Sequence, residues 1–214
     1  MGRENRKEAI ASLHRKQILE AAEDLFLQKG YAQTTIDDIS RAAEYSRRTI
    51  YSYYESKEDI LHHIVEKGLE VLNADIKSAI EDNEEFVTAY SAICTAMLRY
   101  QREYPQSVDL VTNAKAAKLS TAEMSDTMRH ILELGTEMNE LLEAFIQVGK
   151  EHGVVRSEVN SQLTVYILWS SIHALLDLNK SKGQYLCKQT KITEEQFLDY
   201  GFRQIINSIL VERL

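Results

Sequence analysis

Proline and glycine are scarce in this chain: of its 214 residues, one is proline and eight are glycine. Because both residues interrupt regular structure and form tight turns, their scarcity favours long helices over many short strands. The glycines that are present form no GxGxxG or GxxxxGK[ST] sequence. The phosphate-binding loops of dinucleotide-binding enzymes and P-loop nucleotide hydrolases are therefore not expected.

Cysteine and long apolar segments are also rare. Cys94 and Cys187 lie far apart and form no CxxC pair, so neither a zinc cluster nor a disulfide framework is indicated. The most apolar run, residues 163–178, contains polar side chains and is shorter than the roughly 20 residues that span a bilayer. The polar, charged start of the chain is not typical of a secretory signal. We expect a cytoplasmic protein that does not bind membranes.

Charge is distributed unevenly along the chain. The formal net charge is −8, of which residues 1–57 contribute +1 and residues 58–214 contribute −9. An acidic surface by itself favours solubility. The asymmetry predicts, in addition, that a polyanion would bind the first part of the chain and be repelled by the rest.

Helix-capping patterns recur along the chain, and no alternating apolar pattern outlasts a few residues. The expected fold class is all-α, with nine or ten helices. The predicted spans are 15–29, 35–43, a short helix after Ser46, 56–80, 85–104, 106–118, 120–153, 160–182 and a last helix at 193–212.

Residues 45–54, YSRRTIYSYY, combine two arginines with four of the chain's eleven tyrosines. They lie in the third of three consecutive helices, which is the layout of a helix-turn-helix. Helical spacing directs Ile50 and Tyr54 toward the core. The outward-facing residues are Arg47, Arg48, Tyr51 and Ser52. Arginine can bond guanine bidentately and hydroxyl groups can bond phosphates or bases, so this surface predicts DNA binding. The alternative is an ordinary solvated helix surface.

The run 18–61 resembles the amino-terminal DNA-binding domain of the tetracycline-repressor (TetR) family. The matching features are A-x-x-L-F at 22–26, Gly30-Tyr31, T-T-I-x-x-I at 34–39, A-A at 42–43, Ser46, T-I-Y-x-Y-Y at 49–54 and S-K-E-x-I-L at 56–61. The resemblance implies an amino-terminal three-helix helix-turn-helix domain at 1–57 and a larger helical effector-binding and dimerisation domain at 58–214. One departure is Glu44, which occupies a turn position where the family commonly has glycine.

The resemblance also implies which side chains contact DNA. Base contacts are expected from Arg47, Arg48, Thr49 and Ser52. Phosphate contacts are expected from Thr35, Ser46, Tyr51, Tyr53 and Lys57. The early basic residues Arg3, Arg6 and Lys7 are expected to form a disordered tail, with an arm that reaches an adjacent groove as the alternative.

The two carboxy-terminal helices are unusually apolar. Helix 160–182 is apolar on nearly every side, and the last helix carries a broad apolar stripe. A helix without a polar face needs neighbours on several sides. The resemblance implies that both helices form a homodimer interface, with the two recognition helices roughly 34–36 Å apart on a pseudo-palindromic operator. An internal core is the alternative.

The resemblance implies an effector pocket in the middle helices, and methionine, aromatic and histidine side chains there suit an apolar ligand with polar groups. The candidate set is Met97, Tyr100, Tyr104, Met124, Met128, Phe145, Trp169 and His173. Plain core packing is the alternative for each of them. The resemblance implies a repressor that a small-molecule inducer releases from its operator. The acidic composition indicates a cationic inducer, or simply an acidic surface.

Two other classes of function fit isolated features. A helical metal-dependent enzyme would use Glu58, His62 and Glu66, or His130, Glu133 and Glu137. Neither set forms an HExxH or a paired Glu-x-x-His motif, and exposed charges four residues apart are common on helices. We therefore expect no catalytic site and no cofactor.

A redox-responsive regulator on the same fold is the second alternative. A reactive thiol needs an electropositive setting, and Cys187 lies near Lys182, Lys188 and Lys191. Cys94 lies in an apolar helix, which predicts a buried structural thiol.

Overall fold

The computed structural model of the chain describes residues 3–105, 107 and 124–213. The described residues form eight α-helices: α1 (Arg3–Lys29), α2 (Ile36–Ala42), α3 (Arg47–Tyr51), α4 (Lys57–Glu81), α5 (Phe86–Glu103), α6 (Asp126–Glu151), α7 (Ser161–Thr190) and α8 (Glu194–Asn207). This organisation confirms the all-α prediction. Apart from residue 107, the helix expected at 106–118 lies outside the described residues, as does the cap expected at 120–123.

The chain divides into two compact units. The first comprises residues 1–70 and 103–132, and the second comprises residues 71–102 and 133–214. The predicted DNA-binding segment, residues 1–57, lies wholly in the first unit. The division falls inside α4 and inside α6, and it places the last residue of α5 in the first unit, so more than one helix contributes residues to both units.

In the first unit, the helices α1, α2 and α3 share a hydrophobic core. Ile18 and Phe26 from α1, Ile39 from α2 and Ile50 from α3 are at most 1% exposed. Burial of one such side chain contributes roughly 1.5–3 kcal/mol relative to exposure. Because α2 and α3 are short, this shared core rather than helix propensity holds them in position.

Side-chain caps define several helix ends, as the sequence predicted. The Thr35 hydroxyl accepts a hydrogen bond from the Asp38 amide (3.2 Å), and the Asp38 carboxylate accepts one from the Thr35 amide (3.0 Å). At the start of α3, the Ser46 hydroxyl accepts from the Thr49 amide at 3.1 Å. Asn160 and Thr193 cap α7 and α8 in the same way. Each cap satisfies backbone donors that a helix start leaves unpaired.

Helix α1 is longer than predicted. It begins at Arg3 rather than near residue 15, so the expectation of a disordered basic tail was wrong. Neither proline nor glycine occurs between residues 3 and 29, and nothing in this segment therefore interrupts the helix. Arg6 and Lys7 are exposed on this helical extension.

Helix α7 also exceeds its prediction, because Gly183 does not end it. The helix continues to Thr190, and Lys191 adopts the left-handed conformation at its end, with φ of 60°. Gly183 is buried inside the helix, where an added Cβ would lie 2.9 Å from the Asn179 side-chain oxygen. Close approach of neighbouring side chains, rather than a helix stop, accounts for glycine there.

The last helix is shorter than the predicted span 193–212. It ends at Asn207, and the residues that follow form an isolated antiparallel bridge between Val155 and Leu210. The Arg156 amide donates to the Ile209 carbonyl and the Val211 amide to the Val154 carbonyl, each at 3.0 Å. These bonds pair the residues that follow α8 with the segment that follows α6. The helix therefore does not continue beyond Asn207.

The turn between α2 and α3 keeps the backbone geometry that usually selects glycine. Glu44 has φ of 59°, in the left-handed region, although it carries a side chain. The residue before it, Ala43, has an ordinary φ of −81°. A non-glycine residue in the left-handed region costs roughly 1 kcal/mol or more.

We predict that Glu44→Gly raises the free energy of unfolding by about 1 kcal/mol, because glycine adopts positive φ without a Cβ penalty. Ala43→Gly is the matched control, and it should lower the free energy of unfolding by roughly 0.5–1 kcal/mol through chain entropy. Urea denaturation of both variants measures the difference. Equal effects of the two substitutions would contradict strain at Glu44.

Candidate nucleic-acid interface and apolar cavity

Helix α3 has one face in the core and the opposite face in solvent. Ile50 is fully buried, and Tyr54 just beyond the helix is 3% exposed. The Tyr54 hydroxyl donates to the Arg15 carbonyl at 3.2 Å, and burial raises the pKa of Tyr54 to about 12. The opposite face presents Arg47, Arg48, Tyr51 and Ser52, all exposed. The structure therefore confirms the predicted inward and outward faces.

The two arginines of α3 have different surroundings. The Arg47 guanidinium forms an ion pair with Asp37 of α2. Within the described residues, the Arg48 side chain has no hydrogen-bond or ion-pair partner. Arg48 can therefore meet a base edge directly, whereas Arg47 must first leave Asp37. Sequence spacing gave no sign of the Arg47–Asp37 pair, because it depends on how α2 and α3 pack.

The remaining hydroxyl groups on this surface make local bonds. The hydroxyls of Thr49 and Ser46 lie 2.8 Å apart, and the Ser52 hydroxyl donates to the Thr49 carbonyl at 2.6 Å. The Tyr53 hydroxyl lies 3.0 Å from Nδ1 of His14. Tyr51 is more than half exposed. Hydroxyls on rotatable side chains can exchange such bonds for bonds to phosphate.

Thr35 and Lys57, the other predicted phosphate contacts, are engaged within the first unit. The Lys57 ammonium donates to the carbonyls of Tyr31 and Thr34, both at 2.8 Å, and lies 4.2 Å from the centre of the Tyr31 ring. The Thr35 hydroxyl donates to the Asp38 carboxylate at 2.8 Å. An ammonium group has three donors, so Lys57 keeps one that these carbonyls do not use.

Asp38, which the sequence indicated only as the acid of the α2 capping box, also links α2 to α1. Its carboxylate accepts hydrogen bonds from Lys29, Thr35 and Arg41. The bond from Lys29, followed by those from Thr35, holds the pKa of Asp38 well below its usual range. The i, i+3 spacing to Thr35 was readable from the sequence, but the contact with Lys29 was not.

The two residue sets considered for the alternative of a metal-dependent enzyme do not form a metal site within the described residues. Glu66 instead pairs with two histidines, since its oxygens lie 3.0 Å from Nδ1 of His63 and 2.8 Å from Nδ1 of His130. His130 is thus in contact with Glu66 across two helices of the first unit. Among the described residues, no group of three or more histidine, cysteine, aspartate or glutamate side chains could hold a metal ion.

The two cysteines have different environments. Cys94 is fully buried, and burial raises the pKa of its thiol to about 12. At neutral pH such a thiol is not ionised, so it is a poor nucleophile. This environment fits the structural role that the apolar sequence predicted for Cys94. Cys187 is half-buried on α7.

The second unit contains a narrow apolar cavity of about 30 Å³. Its lining residues are Phe86, Tyr90, Ile93, Met97, Leu142, Phe145, Ile146, Val165, Leu168, Trp169, Ile172 and Ile206. The rings of Phe86 and Phe145 stack with centroids 4.3 Å apart. A volume this small accommodates little more than one water molecule, so a ligand has to separate these side chains.

Three of the eight predicted ligand contacts, Met97, Phe145 and Trp169, line this cavity. Tyr100 and His173 are buried in the second unit but do not line the cavity. The others, Tyr104, Met124 and Met128, belong to the first unit. The spacing of Phe86, Tyr90, Ile93 and Met97 along α5 would have revealed one wall of the cavity, because these positions recur every three or four residues.

Helix α7 exposes an apolar stripe on the outside of the second unit. Leu163, Ile167 and Tyr185 are 59%, 62% and 62% exposed. Between them, the same face carries the small exposed residues Ser170, Ala174 and Ser181.

Among the helices that the structure describes, none combines the length and the apolar character of a membrane span.

Comparison with known proteins agrees with the helix-turn-helix geometry. Residues 18–64 match the family described as bacterial regulatory proteins, tetR family. The chain is 30% identical over 161 residues to the HTH-type transcriptional regulator HbdR of Aromatoleum sp. (strain CIB), with 75% of this chain and 67% of HbdR covered. It is 25% identical over 183 residues to the HTH-type transcriptional repressor BepR of Brucella suis biovar 1 (strain 1330), with 83% and 87% covered.

Among solved structures, AibR in complex with isovaleryl coenzyme A and operator DNA superimposes with a TM-score of 0.64. The match covers 89% of this chain and 97% of AibR at 18% identity, which establishes a shared fold. Three observations lead to one conclusion: the exposed Arg47–Arg48 face of α3, the matched family segment, and relatives matched over most of their length. This chain belongs to the TetR family of bacterial helix-turn-helix transcriptional regulators, which bind DNA.

Proposed function

We propose that this chain is a cytoplasmic repressor that binds a pseudo-palindromic operator as a homodimer and leaves it when a small molecule occupies the second unit. Residues 1–57 form the DNA-binding domain, and residues 58–214 form the effector-binding and dimerisation domain. The observation that carries the proposal is the two-sided α3, which buries Ile50 and exposes Arg47 and Arg48.

The exposed face of α3 carries side chains that can hydrogen-bond base edges in the major groove of DNA. Arg47, Arg48, Thr49 and Ser52 contact base edges, since a guanidinium can bond guanine bidentately and hydroxyls can bond any base. Tyr51, Tyr53, Ser46, Thr35 and Lys57 contact phosphates and fix the orientation of the helix. On binding, Arg47 exchanges Asp37 for DNA. This exchange lowers the net gain from Arg47 and leaves Arg48 as the stronger determinant of affinity.

A second copy of the chain covers the exposed stripe of α7. The stripe combines large apolar side chains such as Ile167 with small ones such as Ala174, and small residues allow two helices to approach closely. Tyr200 of α8 is 63% exposed and adds to this surface. Helices α7 and α8 of two subunits would form a four-helix interface with two-fold symmetry. That symmetry matches a palindromic operator, whose half-sites lie about one DNA turn apart.

Release from DNA follows from the small volume of the cavity. A ligand can enter only an arrangement in which the lining helices have moved apart, so its binding shifts the population toward that arrangement. Helix α4, which contributes to both units, transmits the shift to the DNA-binding domain. AibR, which shares the fold, was solved with both isovaleryl coenzyme A and operator DNA, and this supports a ligand-responsive role. A coupling of roughly 1–3 kcal/mol would weaken DNA binding about 5- to 150-fold.

We predict that Arg48→Ala weakens binding to the preferred operator by about 1–3 kcal/mol of binding free energy. The variant should also discriminate less between bases at the base pair that Arg48 contacts. Arg47→Ala should also reduce base discrimination but should weaken binding less, because Asp37 competes with DNA for the Arg47 guanidinium. Operators selected from random DNA, with binding measured at several salt concentrations, test both variants. Lys77→Ala, an exposed lysine far along α4, is the control. Unchanged base selectivity in both arginine variants would refute the assignment of base contacts to the exposed face of α3.

Lys57→Ala is expected to act on stability as well as on DNA. Loss of its ammonium leaves the Thr34 carbonyl without a donor and leaves the Tyr31 carbonyl with only the Thr34 amide, which lowers the free energy of unfolding by about 1–3 kcal/mol. At temperatures where the variant stays folded, binding should weaken equally for operator and unrelated DNA. Glu58→Ala, at the exposed neighbouring position, controls for the helix start. A stability loss without any change in DNA affinity would leave Lys57 a structural role alone.

Ile167→Glu is expected to convert the dimer into monomers, because it buries an unpaired charge in the middle of the α7 stripe. Sedimentation at micromolar concentration measures the oligomeric state. Leu27→Glu, which changes another exposed apolar residue on α1, should leave the dimer intact. A dimeric Ile167→Glu variant would show that subunits associate through another surface.

A further inference from the structure

Two buried polar residues lie one helical turn beyond the apolar cavity. On α5, Met97 lines the cavity and Gln101 follows four residues later. On α7, Trp169 lines the cavity and His173 follows four residues later. Gln101 and His173 are each only 6% exposed. The same two helices therefore contribute an apolar chamber and, directly beside it, a polar end.

His173 is the residue at this polar end whose bonding capacity is unused. Within the described residues, neither of its ring nitrogens has a hydrogen-bond partner. Buried polar groups are nearly always hydrogen-bonded, because an unmet bond in the interior is unfavourable. Gln101 differs, since its amide donates to the Asp177 carboxylate at 2.7 Å. His173 thus has a donor and an acceptor available in the interior of the second unit.

His173 contacts an aromatic ring that lines the cavity. The imidazole of His173 and the indole of Trp169 meet edge to face, with centroids 4.6 Å apart. Trp169 itself lines the cavity. A rotation of the Trp169 side chain would enlarge the chamber and expose the imidazole to whatever entered it. This enlargement is the kind that the small volume of the cavity requires.

The electrostatic surroundings disfavour an anionic ligand. No lysine or arginine is among the described residues that line the cavity. Burial lowers the pKa of His173 and the charge of Asp177 opposes that effect, so the ring is neutral near pH 7. A carboxylate in this chamber would be desolvated without a cation to pair with it, and Asp177 would repel it. An uncharged hydroxyl, carbonyl or amide meets neither penalty.

We propose that this cavity takes a small, mostly apolar molecule with one uncharged hydrogen-bonding group, which displaces Trp169 and bonds His173. The assignment rests on the effector role proposed above for the second unit. It narrows the effector to neutral molecules and names the residue that selects them. His173 is in this scheme a specificity determinant, and the apolar walls supply the affinity.

Direct binding can be read from Trp169, because it is the chain's only tryptophan. Toluene, benzyl alcohol and benzoate form a matched set, in which a similar ring carries no polar group, a neutral one or an anionic one. Titration midpoints of Trp169 fluorescence measure their affinities for the full chain. Benzyl alcohol should bind about 2- to 12-fold more tightly than toluene, the ratio that one net hydrogen bond provides, and benzoate should bind least.

Two variants isolate the imidazole. His173→Phe keeps a ring of similar size without nitrogens, so benzyl alcohol should lose its advantage over toluene while toluene affinity is retained. His173→Gln restores a donor and an acceptor and should recover part of the preference. Because His173→Phe removes an unsatisfied buried group, it should not lower the melting temperature. Benzoate binding as tightly as benzyl alcohol, or a preference that survives in His173→Phe, overturns the proposal.

Operator release, measured by gel shift with the same three compounds, separates this inference from the proposed function. A His173-dependent preference without release supports the ligand assignment and counts against the inducer mechanism. Release without that preference supports the inducer mechanism and overturns the ligand assignment. The absence of both binding and release overturns the ligand assignment and provides no support for the inducer mechanism.

Discussion

The burial of Ile50 and Tyr54 is the interaction on which the placement of α3 depends. Helix α3 extends only from Arg47 to Tyr51, far too short to be stable by itself. Its position is set by Ile50 in the core of the first unit and by the Tyr54 hydroxyl bonded to the Arg15 carbonyl. Because that face is fixed, the opposite face holds its arginines in a defined orientation, as base reading requires.

Several polar contacts of the first unit serve the same purpose. Lys57 joins the start of α4 to the carbonyls between α1 and α2, and Asp38 joins α1 to α2 through Lys29. Both are charge-assisted hydrogen bonds, which are stronger than neutral ones. The Glu44 turn keeps a backbone conformation that is unfavourable for its residue type. Because the turn is retained, the stabilisation gained by placing α2 and α3 as they are exceeds the backbone strain at Glu44.

The second unit is organised around an interior that is almost filled. Stacked Phe86 and Phe145 and the Trp169–His173 pair occupy the space that a ligand would take. Tightly packed interiors respond to an added group by repacking as a whole rather than by small local yielding. The release mechanism proposed above needs such a response, because ligand binding has to change the arrangement of helices. Beside the cavity, both ring nitrogens of His173 are buried without a hydrogen-bond partner among the described residues.

The amino-acid sequence by itself determined the helical class, most caps and the two faces of α3. These features depend on neighbours a few residues apart, and Thr35, Ser46, Asn160 and Thr193 all capped as their patterns indicated. Helix lengths were less predictable, since Gly183 signals a helix stop in sequence and is instead buried within α7. Only the tertiary structure decided that Arg47 meets Asp37, that Glu66 meets His130, and that Met97, Phe145 and Trp169 share one cavity. Such pairings join residues distant along the chain, and helix packing, which no local pattern encodes, brings them together.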